Sequence, residues 1–303
     1  MSESVPQDAD AAEAAFETER DRLFGLAYRM TSSVMDADDV VQEAWLRFGR
    51  AAEEQTIANP AAFLTTVVTR LSIDRLRAAS RRRETYVGPW LPEPILTECD
   101  PAHVVELDET VRMGFLHVLD RLGPVDRAVF LLHDVFGQSF AEIAAVVDRN
   151  EANCRQIARR ARERIRAERP HVVAPATTSD RQLLDALLLA AASGDAATLE
   201  AKLAADVVLV SDGGAEVRTA RNVISGPYRL ARFIIGINRK PGVAMHWDTT
   251  HVNGGVAVAI VTDEGLDQVW EIEFVDGLVQ SVHSCLSPEK MTAARAAWSE
   301  TRA

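Results

Sequence analysis

The 303-residue sequence predicts a multidomain chain in which two all-α domains precede an α+β domain. Three observations carry this reading. Apolar residues recur at helical spacing through the first 83 residues and again over 107–169. Two proline-bearing stretches, 88–94 and 170–178, separate these regions from each other and from the C-terminal third of the chain. Beyond the second stretch, short apolar runs alternate with Asp-Gly, Asn-Gly and Glu-Gly pairs, the chemistry of tight turns between strands. The length suits about two domains at roughly 150 residues each and permits three. With 47% hydrophobic and 26% charged residues there is ample material for a core.

Residues 11–30 lack proline and set Phe16, Leu23, Phe24, Ala27 and Tyr28 at helical spacings. Asp36 is placed to cap a second helix through Val40, Val41, Ala44, Trp45 and Phe48. Asn59-Pro60 opens a third, because proline suits a first turn whose N–H has no partner. Its apolar stripe is Leu64, Val68 and Leu71. Arg70, Asp74, Arg77 and Arg81 share a polar stripe through their 4-3-4 spacing.

Gly88-Pro-Trp-Leu-Pro-Glu-Pro94 is an extended linker reaching to about Pro101, since three prolines in six residues remove donors and restrict their neighbours. Trp90 and Leu91 are costly to leave in water, so the segment is expected to dock rather than merely to space. Helices then resume, with Gly123-Pro124 and Gly137 as breaks. Ser139 and Glu142 form a capping box ahead of Ile143, Ala144 and Val147. Asp148-Arg149-Asn150 is a turn, and Asn150 caps the helix after it. That helix puts Cys154, Ile157, Ala158, Ala161 and Ile165 on one side and Arg155, Gln156, Arg159, Arg160 and Arg162 on the other. A short helix, a tight turn and a basic amphipathic helix form the pattern of a helix-turn-helix.

After the second linker, one or two helices are expected over 181–203. Strands come next over 207–210, 245–252, 256–262, 268–275 and 278–285, with turns at Asp212-Gly213, Asn253-Gly254, Glu264-Gly265 and Asp276-Gly277. Helices leading into a meander make a domain that folds on its own.

The net charge of −12 conceals its distribution. Residues 55–83 carry six arginines against Asp74 alone, and residues 151–177 carry seven against three glutamates. Compact basic clusters in an acidic background are what phosphate binding requires, and solvated helix faces produce the same pattern. Charge alone keeps both readings open. The longest apolar run, around Leu187 and Ala192, is far short of the roughly 18 residues of a membrane span. Residues 2–13 are acidic and lack the basic and apolar parts of a secretory signal, so the expectation is a soluble cytoplasmic protein without a membrane partner. Cys99, Cys154 and Cys285 are odd in number and far apart, which excludes a disulfide framework or a Cys-x-x-Cys site. No metal or cofactor is expected.

Asp36-Ala-Asp-Asp-Val-Val-Gln-Glu-Ala-Trp-Leu-Arg47 resembles the signature of sigma region two, and Phe63-Leu64 through Ile73-Asp74-Arg75-Leu76-Arg77 resembles its promoter-facing helix. Asn153-Cys-Arg-Gln-Ile-Ala-Arg-Arg-Ala-Arg162 is similar to the recognition helix of sigma region four. In this order and spacing they resemble an extracytoplasmic-function RNA polymerase sigma factor over about residues 11–170. Trp90-Leu-Pro-Glu-Pro94 and the α+β tail further resemble the subgroup with a SnoaL-like C-terminal extension. The resemblance implies region two over 1–85, a Pro-rich linker over 86–107, a region-four helix-turn-helix over 108–171, a linker over 172–178 and a SnoaL-like cone over 179–303. It implies promoter-directed transcription initiation, with promoter DNA and core RNA polymerase (its beta-prime clamp and beta flap) as partners.

Residue by residue, the resemblance gives polymerase binding to Asp36, Asp39, Gln42, Glu43 and Trp45, which offer carboxylates, an amide and an apolar anchor to a basic partner. Binding of the −10 element falls to Arg70, Asp74, Arg77 and Arg81, and the loop over 50–59 is the position that reads an extruded base. That loop is poor in aromatics, so a stacking partner must come from elsewhere. Asp74 pairing with Arg70 or Arg77 is the plainer alternative. Base edges and phosphates of the −35 element fall to Arg155, Gln156, Arg159 and Arg160, arginine suiting guanine and glutamine adenine. Asn153 and Arg162 are placed on phosphates.

In the subgroup the extension acts as a built-in regulator. Its Asp-Gly-Gly-Gly-Lys stretch appears as Asp212-Gly213-Gly214-Ala215-Glu216, with glutamate in place of lysine, and its Asn-Pro-Asp-Lys-Leu as Ser287-Pro288-Glu289-Lys290-Met291. The expected regulatory contact joins Trp90 and Leu91 to Asp212, Gly213, Gly214, Pro288 and Lys290, with Lys290 set to pair with an acid such as Glu93. Such a cone has an apolar pocket in which a small ligand can sit. As an enzyme it would need acid–base groups, for which Asp212, His246, Asp248, His251 and His283 are available, but spacing does not bring them together. The chain is therefore read as a sigma factor regulated in cis and not as an enzyme. The alternative is a one-component, ligand-sensing helix-turn-helix regulator, which needs neither the acidic helix nor the basic helix behind it.

Overall fold

Short polar side chains set the helix starts in the first part of the chain. The computed structural model describes residues 9–83, 86, 88–97, 109–168, 177–239 and 245–302. In it α1 (Ala9–Thr31) is succeeded by α2 (Val34–Glu54). The cap of α2 is Ser33, whose hydroxyl accepts from the Asp36 N–H at 3.1 Å, so Asp36 sits inside the first turn and is not itself the cap. α3 (Pro60–Arg83) starts as expected, with the Asn59 side chain accepting from the Ala62 N–H at 3.0 Å. Leu23, Tyr28, Val40, Phe48, Leu64 and Val68 meet in the core of these three helices, none more than 1% exposed.

α4 (Met113–Leu119) and α5 (Pro124–Phe130) lead through a π-helical turn, Leu131–Val135, to α6 (Phe140–Val147) and α7 (Glu151–Glu168). The expected capping box is present: Ser139 accepts from the Glu142 N–H while Glu142 accepts from the Ser139 N–H at 2.8 Å. Asp148 takes a left-handed conformation (φ 53°) to end α6, and Asn150 caps α7 by accepting from the Asn153 N–H at 2.8 Å. Cys154, Ile157, Ala158 and Ala161 are the buried face of α7.

The described residues divide into two compact units: 9–83 with 118–168, and 86–97 with 109–117, 177–239 and 245–302. Within the first, Arg127 ties the first three helices to the helix-turn-helix. It is 1% exposed and donates to the Met30 carbonyl and the Asp120 carboxylate, both at 2.6 Å. The Ser32 hydroxyl donates to the same carboxylate at 3.2 Å. Removing one partner of a buried ion pair costs about 3–5 kcal/mol, because the other charge is left buried and unpaired, so loss of Arg127 alone should loosen this junction.

The second unit holds α8 (Thr178–Ser193), α9 (Ala196–Ala201), β1 (Leu203–Asp212), β2 (Ile224–Ser225), α10 (Pro227–Asn238), β3 (His246–Val252), β4 (Gly255–Thr262), β5 (Gly265–Val275), β6 (Leu278–Cys285) and α11 (Thr292–Arg302). The sheet order is β2-β1-β6-β5-β4-β3. β3 to β6 form the expected antiparallel meander, but β1 pairs parallel to β6, which no local pattern announces. Three expectations need correction. The helical stretch ends at Ala201 and not at Leu203; Asp212-Gly213 opens a long loop rather than a hairpin; and α10 and α11 are additional helices. The result is the α+β, SnoaL-like cone expected of the tail.

Alternate residues point to opposite faces of this sheet. Val256, Val258, Ile260, Trp270 and Ile272 face α8, α9 and α10. Ala257, Ala259, Val269 and Cys285 face the other way, where Leu91, Leu96, Met113 and Trp298 cover them. The linker therefore belongs to this core. Leu96 bridges to Val252 on β3, and Asn253 secures the neighbouring backbone by accepting from the Ile95 N–H at 2.9 Å and donating to the Val111 carbonyl at 2.6 Å.

Candidate functional site

On α2, Asp36, Asp39, Gln42 and Glu43 lie on the unburied side, and the three carboxylates are internally engaged. Arg75 of α3 donates to Asp36 at 3.1 Å and to Asp39 at 3.0 Å, and Arg47 donates to Glu43 at 2.8 Å. Gln42 is exposed. Trp45 is differently placed from a free anchor: its ring lies 4.9 Å from Phe16 and 6.4 Å from Phe48, joining α2 to α1. The exposed apolar side chains on this helix are Met35 and Leu46, at 62% and 47%, and sequence reasoning passed over both.

Along α3, Asp74 and Arg77 are exposed and pair with each other at 3.2 Å. Arg70 turns toward the helix-turn-helix, donating to the Val146 carbonyl at 3.0 Å and the Ala145 carbonyl at 3.0 Å. These carbonyls lie in the last turn of α6, where the helix dipole favours a cation. The Arg81 side chain lies outside the described residues. Arg47, Ala62, Phe63, Thr66, Val67 and Arg70 line a cleft of about 470 Å³. Phe63 is half-buried there, 5.9 Å from Phe48. It supplies an aromatic surface beside the 50–59 loop, which the loop sequence itself lacks.

α7 presents Arg155, Gln156, Arg159 and Arg160 to solvent. Arg155 pairs with Glu151 at 2.7 Å and lies 5.3 Å over the Phe140 ring. Arg159 is 3.7 Å from Glu163. Arg162 is held at 2.6 Å by Asp134, so it braces the helix-turn-helix, and Asn153 sits half-buried in the first turn. Exposed pairs of this kind contribute little to stability, leaving the arginines free to exchange partners. The Cys154 thiol is buried, and burial pushes its pKa up.

The second unit brings the linker and the tail motifs together around Asp212. That carboxylate is 1% exposed and accepts from the Leu91 N–H at 2.7 Å, from Lys290 Nζ at 2.6 Å, from the Gly214 N–H at 3.0 Å and from the Tyr86 hydroxyl. Lys290, 3% exposed, also donates to the Leu91 carbonyl at 2.6 Å, and its ammonium lies 3.3 Å from the Trp90 ring centre. The cation of this latch is neutralised by the buried Asp212 carboxylate. Gly214 (φ 66°) brings its backbone against Ser287, where an added Cβ would fall 3.0 Å from the hydroxyl oxygen. Pro288 is half-buried at the start of the turn that delivers Lys290. Tyr86, edge-on to Trp90 at 4.6 Å, is a latch residue that sequence reasoning missed. Burial and the Asp212 charge raise its pKa, and the same two causes push the Cys285 thiol up to about 12.

The five acid–base candidates disperse. Asp212 is in the latch, His246 pairs with Asp248 at 2.9 Å on the surface, and His251 meets Arg181 at 3.0 Å. His283 is buried 3.8 Å from Glu271, which itself pairs with Arg112 at 3.1 Å. None of them lines a cavity of about 30 Å³ or one of about 710 Å³ among the described residues of this unit. Among the described residues, no group of three or more His, Cys, Asp or Glu side chains is placed to hold a metal ion, and no helix is long and apolar enough to cross a membrane.

Comparison with known proteins matches residues 15–82 to sigma-70 region 2 and residues 112–165 to sigma-70 region 4. The ECF RNA polymerase sigma factor SigJ of Mycobacterium tuberculosis is 37% identical over 289 residues, spanning 91% of this chain and 92% of its own. A probable ECF RNA polymerase sigma factor of the same species, SigI, is 31% identical over 301 residues, covering 95% of this chain and 97% of its own. The crystal structure of the Mycobacterium tuberculosis SigJ superposes with a TM-score of 0.74 at 34% identity, covering 93% of this chain and 98% of that one.

Proposed function

The chain belongs to the extracytoplasmic-function sigma factors, and from that premise we propose how its parts divide the work of transcription initiation. As a sigma factor it is a DNA-binding subunit that directs RNA polymerase to promoters. A one-component operator-binding regulator does not account for a region-2 module ahead of the helix-turn-helix. The −35 element is read by α7, with Arg155, Gln156, Arg159 and Arg160 on bases and phosphates, and Asn153 and Arg162 at the backbone. The −10 element is held by Arg70, Arg77 and Arg81, with Asp74 orienting its neighbour Arg77. An unstacked base enters the cleft against Phe63 between Arg47 and Arg70. Core polymerase docks on α2 through Asp36, Asp39, Gln42 and Glu43, with Leu46 as the apolar contact that Trp45 does not provide.

The C-terminal domain regulates these parts by holding the chain between them. The observation that supports this reading is the buried ion pair of Asp212 and Lys290, which grips both the N–H and the carbonyl of Leu91. A linker fixed at one residue limits the separations that its flanking modules can reach. Transcription with purified core polymerase tests this. Asp212→Asn and Lys290→Met should each change promoter output while leaving core binding intact, whereas Asp39→Lys with Glu43→Lys should abolish core binding. Wild-type output from both latch variants rejects regulation in cis; normal holoenzyme assembly by the double lysine variant rejects the α2 docking face.

A further inference from the structure

We propose that the exposed face of α10 binds single-stranded DNA, with its arginines on phosphates and the Tyr228 ring stacked on a base. This surface is separate from the region-2 and region-4 contacts and does not depend on the latch.

Its charge is visible in the sequence. Residues 217–240 carry six of the eleven lysines and arginines found after residue 177, and no aspartate or glutamate. The remainder of the tail holds five cations against sixteen acids, so the cluster stands in an acidic background. Along α10, Tyr228, Arg229, Arg232, Gly236 and, at its C-terminal cap, Arg239 are exposed. Steps of one, three, four and three residues set them on one stripe, while Leu230, Ala231 and Ile234 face the core. From Tyr228 to Arg239 the stripe is about 16 Å long, the reach of a few nucleotides. Arg221, also exposed, lies in the loop before β2 that leads into the helix. Arg218 lines a cavity together with Asp263, Glu264 and Asp267, so its charge is offset and it is not part of the surface.

These arginines lack the carboxylates that others on the surface have. Arg20 pairs with Glu17, Arg47 with Glu43 and Arg155 with Glu151. Among the described residues, no carboxylate lies within ion-pair distance of Arg221, Arg229, Arg232 or Arg239. Like charges at Arg229 and Arg232, one turn apart, repel each other, and an external polyanion removes that cost. Gly236 adds no side chain to the stripe, and the space a Cβ would occupy there is open, so a backbone can approach the helix closely.

Tyr228 decides the kind of polyanion. Its ring is 57% exposed and is steadied by Arg232, whose guanidinium lies 5.5 Å from the ring centre and donates to the hydroxyl at 3.1 Å. An aromatic face held among cations suits an unstacked base, because any base can stack on it while the arginines track the backbone. A duplex keeps its bases inside the stack, and a run of acidic side chains offers the ring nothing flat. Promoter opening, the work of a sigma factor, is the source of such a strand.

A thymidine dodecamer carrying one 5-iodouracil tests this on the full-length chain by photo-crosslinking, with the attached residue located by mass spectrometry. The crosslink should fall on Tyr228, disappear in Tyr228→Ala and persist in Tyr228→Phe. Its yield against oligonucleotide concentration reads this surface apart from α3 and α7. Arg229→Glu with Arg232→Glu should raise the half-saturating concentration about tenfold or more and reduce the salt slope by about 1.4, at about 0.7 per arginine. Should that variant unfold, Arg229→Gln with Arg232→Gln takes its place. No crosslink at Tyr228, or one whose titration ignores the arginine variants, overturns the surface. Stronger competition by duplex DNA or by a uridine dodecamer overturns single-stranded DNA as the ligand. Equal competition by polyglutamate overturns a nucleic acid in favour of an acidic protein.

Discussion

Lys290 shows how much one side chain can hold. Its ammonium, buried to 3% exposure, meets a carboxylate, a backbone carbonyl and an aromatic face. Lys290→Met keeps most of the bulk but strands the Asp212 charge. It should destabilise the second unit by about 3–5 kcal/mol, measured by guanidinium unfolding of the full chain. Equal stability would mean that the ammonium is dispensable and the Trp90 and Leu91 packing suffices. The arginines of α7 behave differently, because their present partners are exposed carboxylates. Arg155→Ala or Arg160→Ala should cost about 1–3 kcal/mol at the −35 element and relax specificity there if the contact is to a base. A contact to phosphate weakens all sequences alike and flattens the salt slope. Arg162→Ala, at a residue placed on phosphate, should weaken binding of all sequences alike, and a base-specific effect there would reverse that assignment.

At the scale of elements, caps and close approaches matter most. The Ser139–Glu142 box starts α6, so Ser139→Ala should cost about 1 kcal/mol and lower the melting temperature without altering any DNA-facing side chain. An unchanged melting temperature would show that the packing of Ile143 and Val147 alone sets that helix. Gly114, in the first turn of α4, is required for a different reason. A Cβ there would fall 2.7 Å from the Glu273 carboxylate and 2.7 Å from the His283 ring. Gly114→Val should therefore cost about 1–3 kcal/mol by overpacking and loosen residues 109–117 from the sheet, visible as faster amide exchange at Val111 and Met113. The same substitution with native exchange rates would show that the carboxylate yields without cost.

For the whole molecule, the latch links stability to alkaline pH. Tyr86 and Cys285 both hold their protons to higher pH in the folded chain than in the unfolded chain, where a thiol titrates near 8.5 and a phenol near 10. Their contribution is complete below those unfolded values and is lost as pH rises beyond them, for Cys285 toward about 12. Stability should thus fall between about pH 8.5 and 11, and Tyr86→Phe with Cys285→Ala should flatten that fall. A slope unchanged by the double variant would place the alkaline loss elsewhere in the chain. The same burial should leave Cys285 unreactive to iodoacetamide at neutral pH until the chain unfolds.

What the sequence by itself determined is whatever depends on neighbours a few residues apart. The apolar stripes of α1 to α3, the Ser139 box, the Asn150 cap and the Asn253-Gly254 and Asp276-Gly277 turns are all local, so periodicity and turn chemistry reveal them. The exposed arginine face of α7 is legible for the same reason. Tertiary structure alone decided the features that join distant segments. Nothing near Trp45 indicates that Phe16 will claim its ring, and nothing near Arg70 points to carbonyls 75 and 76 residues away. The parallel pairing of β1 with β6 and the meeting of Lys290 with Leu91 across 199 residues depend on how whole faces cover one another. Motif resemblance associates Trp90, Leu91, Asp212 and Lys290 with one another, but the part of Tyr86 and the pairing of Lys290 with Asp212 are set by burial. A charge taken out of water accepts only the partners that the surrounding packing places within reach.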